Sequence, residues 1–441
     1  MVPDPQSLSR RQLLAGAVGS VGLGGGALIA TALTRPTALP NVLVDWTINH
    51  YPTPPAPSSL WQPTVTEAHA RETVELLAET EQEAFDLGED LDSDDRLIIG
   101  SGGWLSTAEE SLEDGDYEDA LSEARYGIQF AGEDLGAAHA KRGEEDLEAL
   151  ADRADALLER VNILIDDLEG RPVADPERDL AWYVRVETEL QRGRHLAQSR
   201  ELDEIRDDET DLPQYDSLVV GKITSNLLRA EIAVETAAQY RDRLWETFDG
   251  TEDSYDDHLQ DLLEELSGEL EPIPTRDEVE EEYIGDPAEY GPYEFAHSRL
   301  ARWCFPATLF PPWERTIDEE FLTLKVLALA QGLVDWHAHE YVVEHLEVEP
   351  GDEEFDPAYI LTEKRRGRST YEDVIGSDPA PFMVVLSEQG IGNLRAATVN
   401  RDWDDSWKPW NERVQTYLNA LLGRARLQEY PTVYERLVDG G

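Results

Sequence analysis

The chain has 441 residues, with 37 Lys and Arg against 94 Asp and Glu, a formal charge of −57 at neutral pH. A net charge of that sign and size repels phosphate backbones and anionic lipid surfaces, so a nucleic-acid-binding role is excluded. A hydrophobic fraction of 40%, with 11 Trp, 16 Tyr and 9 Phe, excludes intrinsic disorder, because disordered acidic segments are poor in those residues.

Residues 1–40 are chemically apart from the rest. They hold one acid, Asp4, and three bases, Arg10, Arg11 and Arg35, which leaves −59 on residues 41–441. Ser9-Arg10-Arg11-Gln12-Leu13-Leu14 opens an uncharged, Gly- and Ala-rich run over residues 12–33. This segment resembles a twin-arginine translocation signal, and the resemblance implies export of the already folded chain by the twin-arginine translocase, with Arg10 and Arg11 as the residues read. Left uncleaved, residues 12–33 are long enough to span a bilayer of ~30 Å as a membrane anchor, with the arginines on the cytoplasmic side and the body outside. The expected location is extracytoplasmic, either secreted or anchored at the cell surface. Cys304 is the only cysteine, so an internal disulfide is excluded.

A proline-rich spacer is expected over residues 41–60, where Tyr51-Pro-Thr-Pro-Pro-Ala-Pro-Ser-Ser59 reads as extended and semi-rigid. From there helical spacing takes over. Leu147, Leu150, Ala154, Leu157, Val161, Leu164 and Leu168 step by three and four with acids on the other faces. Val219, Ile223, Leu227, Ala230, Val234, Ala237, Leu244 and Phe248 repeat the pattern, and residues 66–87, 117–135 and 176–205 carry weaker versions. With no run of alternating strands, the expected fold is all-α: an antiparallel helical bundle or hairpin array over 61–270 and a second helical region at the C-terminus. Ser111-Leu112-Glu113-Asp114-Gly115-Asp116-Tyr117-Glu118-Asp119-Ala120-Leu121, followed by Ala124, resembles the turn of a tetratricopeptide repeat, but no second copy follows at a period of about 34 residues, so a single helix–turn–helix is expected.

Residues 271–316 carry seven prolines among Tyr290, Tyr293, Phe295, Trp303, Phe305, Phe310 and Trp313, which reads as a packed irregular connection. The C-terminal domain, 317–441, is expected to form around a buried helix over 321–334 that is apolar on all sides, with shorter helices from Pro357 onward.

The acids are spread along the chain rather than blocked, and only Lys141, Lys222, Lys325, Lys364 and Lys408 are lysines. In this the chain resembles haloarchaeal proteins. Molar salt shortens the Debye length to ~3 Å, so neighbouring carboxylates barely repel one another; in dilute buffer they do. Circular dichroism is expected to report loss of helix as KCl is withdrawn from molar to low concentration; an unchanged spectrum contradicts the salt adaptation.

Candidate chemistry is sparse. In Asp335-Trp336-His337-Ala338-His339-Glu340-Tyr341-Val342-Val343-Glu344-His345, His337, Glu340 and Glu344 share one helix face, and an imidazole with two carboxylates is a donor set for a divalent metal. The signatures Glu-x-x-His and His-Glu-x-x-His are absent. Trp403, Trp407 and Trp410 stand among carboxylates, as in a sugar- or cation-binding platform, or as rings that pin a loop. Asp90-Leu-Asp92-Ser-Asp94-Asp95 begins like an EF-hand loop but lacks Gly at the sixth position and Glu at the twelfth, where Ser101 stands, and Asp114-Gly-Asp116-Tyr-Glu118 fails likewise. Lys364-Arg365-Arg366-Gly367-Arg368 is a rare basic patch for which salt pairing is expected. No Gly-x-Ser-x-Gly elbow, Walker loop or Cys-x-x-Cys occurs, and Cys304 between Trp303 and Phe305 reads as a buried apolar side chain. The expectation is an exported, salt-adapted helical cell-envelope protein, a non-catalytic binding or scaffold module with an unidentified protein partner in the envelope. The alternative is an extracytoplasmic metal- or ligand-binding protein using His337, Glu340 and Glu344.

Overall fold

The structure is a computed structural model, and it describes residues 41–89, 102–143, 147–198, 202, 216–283, 290–305, 317–318, 320–398 and 409–439. The proposed export segment, including Arg10, Arg11 and residues 12–33, lies outside the described residues. The fold is all-α, with fifteen helices among the described residues and one two-residue strand pair, Pro172–Val173 (β1) antiparallel to Asp253–Ser254 (β2). Two compact units divide the chain, one built from residues 62–264 with 314–328, the other from residues up to 61 with 265–313 and 329–439.

The N-terminal unit contains α3 (Glu67–Glu89), α4 (Trp104–Asp114), α5 (Tyr117–Arg142), α6 (Leu147–Asp166), α7 (Pro176–Ala197) and α8 (Ser217–Trp245), which follow α1 (Asn41–His50) and α2 (Pro57–Leu60) of the other unit. The expected helix–turn–helix is present: Gly115 ends α4 at φ 82°, where an L side chain is strained, and its amide returns to the carbonyls of Leu112 and Ser111 before α5 begins. Helix α8 is central. Its apolar stripe, Ile223, Leu227, Ala230, Val234 and Ala237, is buried as the spacing predicts, and α5, α6 and α7 pack around it. At one end of the α5–α8 contact the two backbones meet without intervening side chains. A Cβ on Gly221 would lie 2.4 Å from the Glu133 carbonyl oxygen, and one on Gly136 would lie 2.7 Å from that of Val220. The pairs Gly132 with Ser225 and Gly136 with Gly221 make α5 and α8 antiparallel.

A buried ionic node closes this unit. Arg171, held at φ 30°, donates from Nε to Glu187 Oε1 (3.0 Å), from Nη1 to Asp256 Oδ1 (2.9 Å) and from Nη2 to the Glu320 carbonyl (2.8 Å). Glu187 also accepts from the amides of Thr323 (3.3 Å) and Leu324 (2.6 Å).

The second unit contains α1, α2, α10 (Arg276–Tyr283), α11 (Pro292–Cys304), α13 (Ala358–Val374), α14 (Pro381–Ala396) and α15 (Pro409–Val438). It also takes the later parts of α9 (Asp256–Leu270) and α12 (Leu322–Glu344). Its core gathers Val44, Ile48, Phe295, Leu300, Ala338, Val342, Ile360, Leu361, Tyr417, Leu418, Leu421 and Leu422. Within the expected spacer, residues 41–50 are therefore helical and contribute to this core, and Arg395 holds the Pro54 carbonyl at 2.8 Å. Within the connection expected as irregular, Arg276–Tyr283 and Pro292–Cys304 are instead helices. Pro292 takes the first helical position of α11, where its missing amide costs nothing, and Glu294 caps the Gly291 amide at 2.8 Å. The final helix is longer than expected: α15 runs for 30 residues with Pro431 inside it. The buried helix over 321–334 is present as the first part of α12. No helix among the described residues is long and apolar enough to cross a membrane.

Candidate functional site

Of the side chains expected to bind metal, one is engaged elsewhere and two face outward. His337 Nδ1 lies 3.3 Å from Glu429 of α15, whose hydrogen bond raises the imidazole pKa, while Glu340 and Glu344 are exposed. Among the described residues, no three His, Cys, Asp or Glu side chains form a group able to hold a metal ion. Trp410 is buried edge-on against Phe295 at 5.6 Å, so it pins the start of α15; Trp403 and Trp407 lie outside the described residues, as do Asp90, Asp92, Asp94, Asp95 and Ser101. The basic patch is largely consumed internally: Lys364 is buried and donates to the carbonyls of Ile48 (2.9 Å) and Ala397 (2.6 Å), Arg366 pairs with Glu363 and Arg368 with Glu372, each at 2.6 Å. Burial brings the Lys364 pKa down to about 8. Cys304 is buried, and burial pushes its thiol up, away from nucleophile chemistry.

The described residues do form a pocket that no sequence motif marks. It measures about 580 Å³ and lies wholly within the N-terminal unit. Helix α8 supplies Arg229, Ala233 and Tyr240 at intervals of four and seven, which keeps them on one face. Helix α5 supplies Glu118, Ser122, Arg125, Tyr126 and Gln129 by the same rule, α7 supplies Arg192, and Trp104 stands at the start of α4. The Trp104 and Tyr126 rings meet edge to face at 4.6 Å.

Three guanidinium groups line this space. Arg125 makes a two-pronged pair with Glu189 (3.0 and 3.1 Å) and also donates to Thr236 Oγ1 at 2.6 Å. Arg192 reaches the same carboxylate through Nη1 at 2.9 and 3.1 Å, so one carboxylate serves two arginines. Arg229 makes no hydrogen bond or ion pair among the described residues; burial lowers its pKa, the nearby charge of Arg192 lowers it further, and Glu133 acts the other way. The two lining glutamates are engaged, Glu118 by the Val65 amide (3.3 Å) and Glu123 by the Ser111 hydroxyl (2.9 Å). Behind the wall, Thr236 gives its hydroxyl proton to the Ile232 carbonyl (2.8 Å), so His69 Nε2, 2.7 Å away, is the donor to Thr236 Oγ1. Burial, followed by the charge of Arg125, drives the His69 pKa down to about 4 and keeps the ring neutral.

Fold and site together define an all-α protein with an arginine-lined, aromatic-walled pocket in its N-terminal unit. Residues 66–252 match the family model described as domain of unknown function (DUF8262), and residues 256–439 match that described as domain of unknown function (DUF8264). No curated protein and no solved structure matches the chain.

Proposed function

We propose that the chain is an exported, salt-adapted, non-catalytic binding module of the cell envelope, and that its binding site is the pocket between Trp104, Tyr126, Arg192 and Arg229. The observation that carries this reading is the pocket itself: a concave space of about 580 Å³, within the range of small-molecule sites, with aromatic walls and, in Arg229, a guanidinium that makes no ion pair among the described residues. Export rests on the Arg10-Arg11 segment and the uncharged run after it, which would be read by the twin-arginine translocase; salt adaptation rests on the dispersed acids.

The test is to purify the protein from its native cell surface in molar salt, denature it and identify released small molecules by mass spectrometry, beside an Ala233→Phe variant that fills the pocket. A compound released in stoichiometric amount by the wild type and missing from the variant is the expected result. Wild-type protein that releases nothing, or a variant that releases the same compound, sinks the reading.

A further inference from the structure

We infer that this pocket takes a small organic anion: a planar, ring-bearing molecule whose carboxylate or phosphate is gripped by Arg229 and Arg192 while its ring lies against Trp104 and Tyr126. The inference rests on the reading of the pocket as the binding site and adds the chemistry of its ligand.

The argument starts from scarcity. Acids outnumber bases 94 to 37 in this chain, so a carboxylate partner for any arginine is cheap to provide, and elsewhere they are provided: Arg194 meets both Asp318 (2.7 Å) and Glu320 (2.8 Å), and Arg436 meets both Glu265 (2.9 Å) and Glu269 (2.7 Å). At the pocket three arginines face two lining glutamates, Glu118 and Glu123, each held by a neutral donor. Among the described residues, Arg125 and Arg192 divide Glu189 between them, Arg192 commits only Nη1, and Arg229 stands half-buried beside Arg192 with no carboxylate in contact. Two neighbouring guanidiniums with spare forked donors match the planar or tetrahedral oxygens of a carboxylate or phosphate, and such an anion relieves the repulsion between them. A cation would add to that repulsion.

The rings fix the rest of the molecule. Trp104 and Tyr126 offer an aromatic corner next to the arginines, and the Tyr240 hydroxyl, pushed up to about 12 by burial, stays protonated and able to donate. Chloride, a sphere with neither forked oxygens nor a ring, satisfies only the charge. The acidic exterior does not forbid an anion, because in molar salt charges farther than ~3 Å are screened and only the groups in contact decide.

The test uses the full chain in molar KCl and saturation-transfer NMR titrations with benzoate and phenyl phosphate as anionic rings, benzamide as an uncharged ring, and inorganic phosphate as a competitor without a ring. Benzoate or phenyl phosphate is expected to bind about tenfold or more tightly than benzamide, and Arg229→Gln to weaken the anion by about tenfold at an unchanged circular dichroism spectrum, with Arg229→Lys between the two. Which of the two anions binds more tightly separates a carboxylate from a phosphate ligand. Equal binding of benzamide and benzoate, an Arg229→Gln variant that binds as the wild type does, stronger competition by inorganic phosphate than by either ring compound, or no binding by any ring compound overturns the inference. If benzamide and benzoate bind equally and both are lost in Trp104→Ala, the ligand class is wrong and the pocket still binds; the pocket reading itself fails only if native protein releases no molecule from it.

Discussion

Glu187→Ala is expected to cost the N-terminal unit about 3–5 kcal/mol, seen as a lower denaturant midpoint at unchanged slope in molar salt. Glu187 is fully buried, and its two oxygens accept from three donors: Arg171 Nε at 3.0 Å and the amides of Thr323 and Leu324. Those amides belong to the first turn of α12, whose N–H groups have no partner within the helix and whose positive dipole end favours an anion. A carboxylate from α7 thus caps a helix that lies more than a hundred residues onward in the chain. Alanine removes the cap and leaves Arg171, only 5% exposed, with Asp256 and one carbonyl. Glu187→Gln keeps an acceptor for the amides and loses the charge, so its cost is expected to fall between. An alanine variant within about 0.5 kcal/mol of wild type would show that the node contributes nothing.

Stability is expected to fall steeply as pH drops from 6.5 to 4 at fixed molar salt. Burial drives the pKa values of His69, His297 and His339 down from 6.5 to about 4, with Arg125 adding to the effect at His69 and His297 at His339. Between these limits the unfolded chain binds three protons that the folded chain refuses, so the stability present above pH 6.5 is lost as pH falls through this window. Two buried carboxylates act with the opposite sign, since burial raises Glu187 and brings Asp335, beside Arg426, up to about 6. Each of the three histidines contributes a slope of roughly 1.4 kcal/mol per pH unit between these limits, and the two carboxylates offset part of it. His339→Phe isolates one contribution. Among the described residues neither ring nitrogen of His339 has a hydrogen-bond partner, and the ring sits edge-on to Phe305 at 4.9 Å and parallel to Trp336 at 6.1 Å, a setting that suits phenylalanine better. Denaturant titrations across the window should give this variant a flatter pH profile and, at pH 7, about 1–3 kcal/mol more stability. A profile parallel to the wild type contradicts the assignment.

Local spacing carried much of the architecture. The apolar steps of α6 and α8 are a property of neighbouring residues, and those helices lie where the spacing puts them. The prolines of residues 271–316 misled, because a proline reads as a helix breaker unless it takes the first helical position, as Pro292 does. Helix α1 is short and was hidden by the prolines after it. The pocket was not legible as a motif, since Arg125 and Glu189 are 64 residues apart and Arg125 and Thr236 are 111 apart. A signal was nevertheless present: Arg229 lies in α8 between Leu228 and Ala230, both buried, and an arginine at the edge of an apolar stripe in so acidic a chain was the residue to follow. The face of His337, Glu340 and Glu344 shows the converse limit of local spacing. One helix fixes which residues look the same way, but it does not supply the further ligands that metal binding needs, and here His337 turns to Glu429 on another helix.

The glycine contact between α5 and α8 fixes how closely two pocket-lining helices approach. The helices touch backbone to backbone at Gly132, Gly136 and Gly221, and roughly one to two turns along them Arg125, Gln129 and Arg229 line the pocket. The spacing of these two walls is therefore set at a point outside the pocket, by two main chains that cannot approach more closely. A methyl group added at Gly221 would meet the Glu133 carbonyl oxygen at 2.4 Å and force the helices apart, so that a residue outside the lining bears on the width of the pocket.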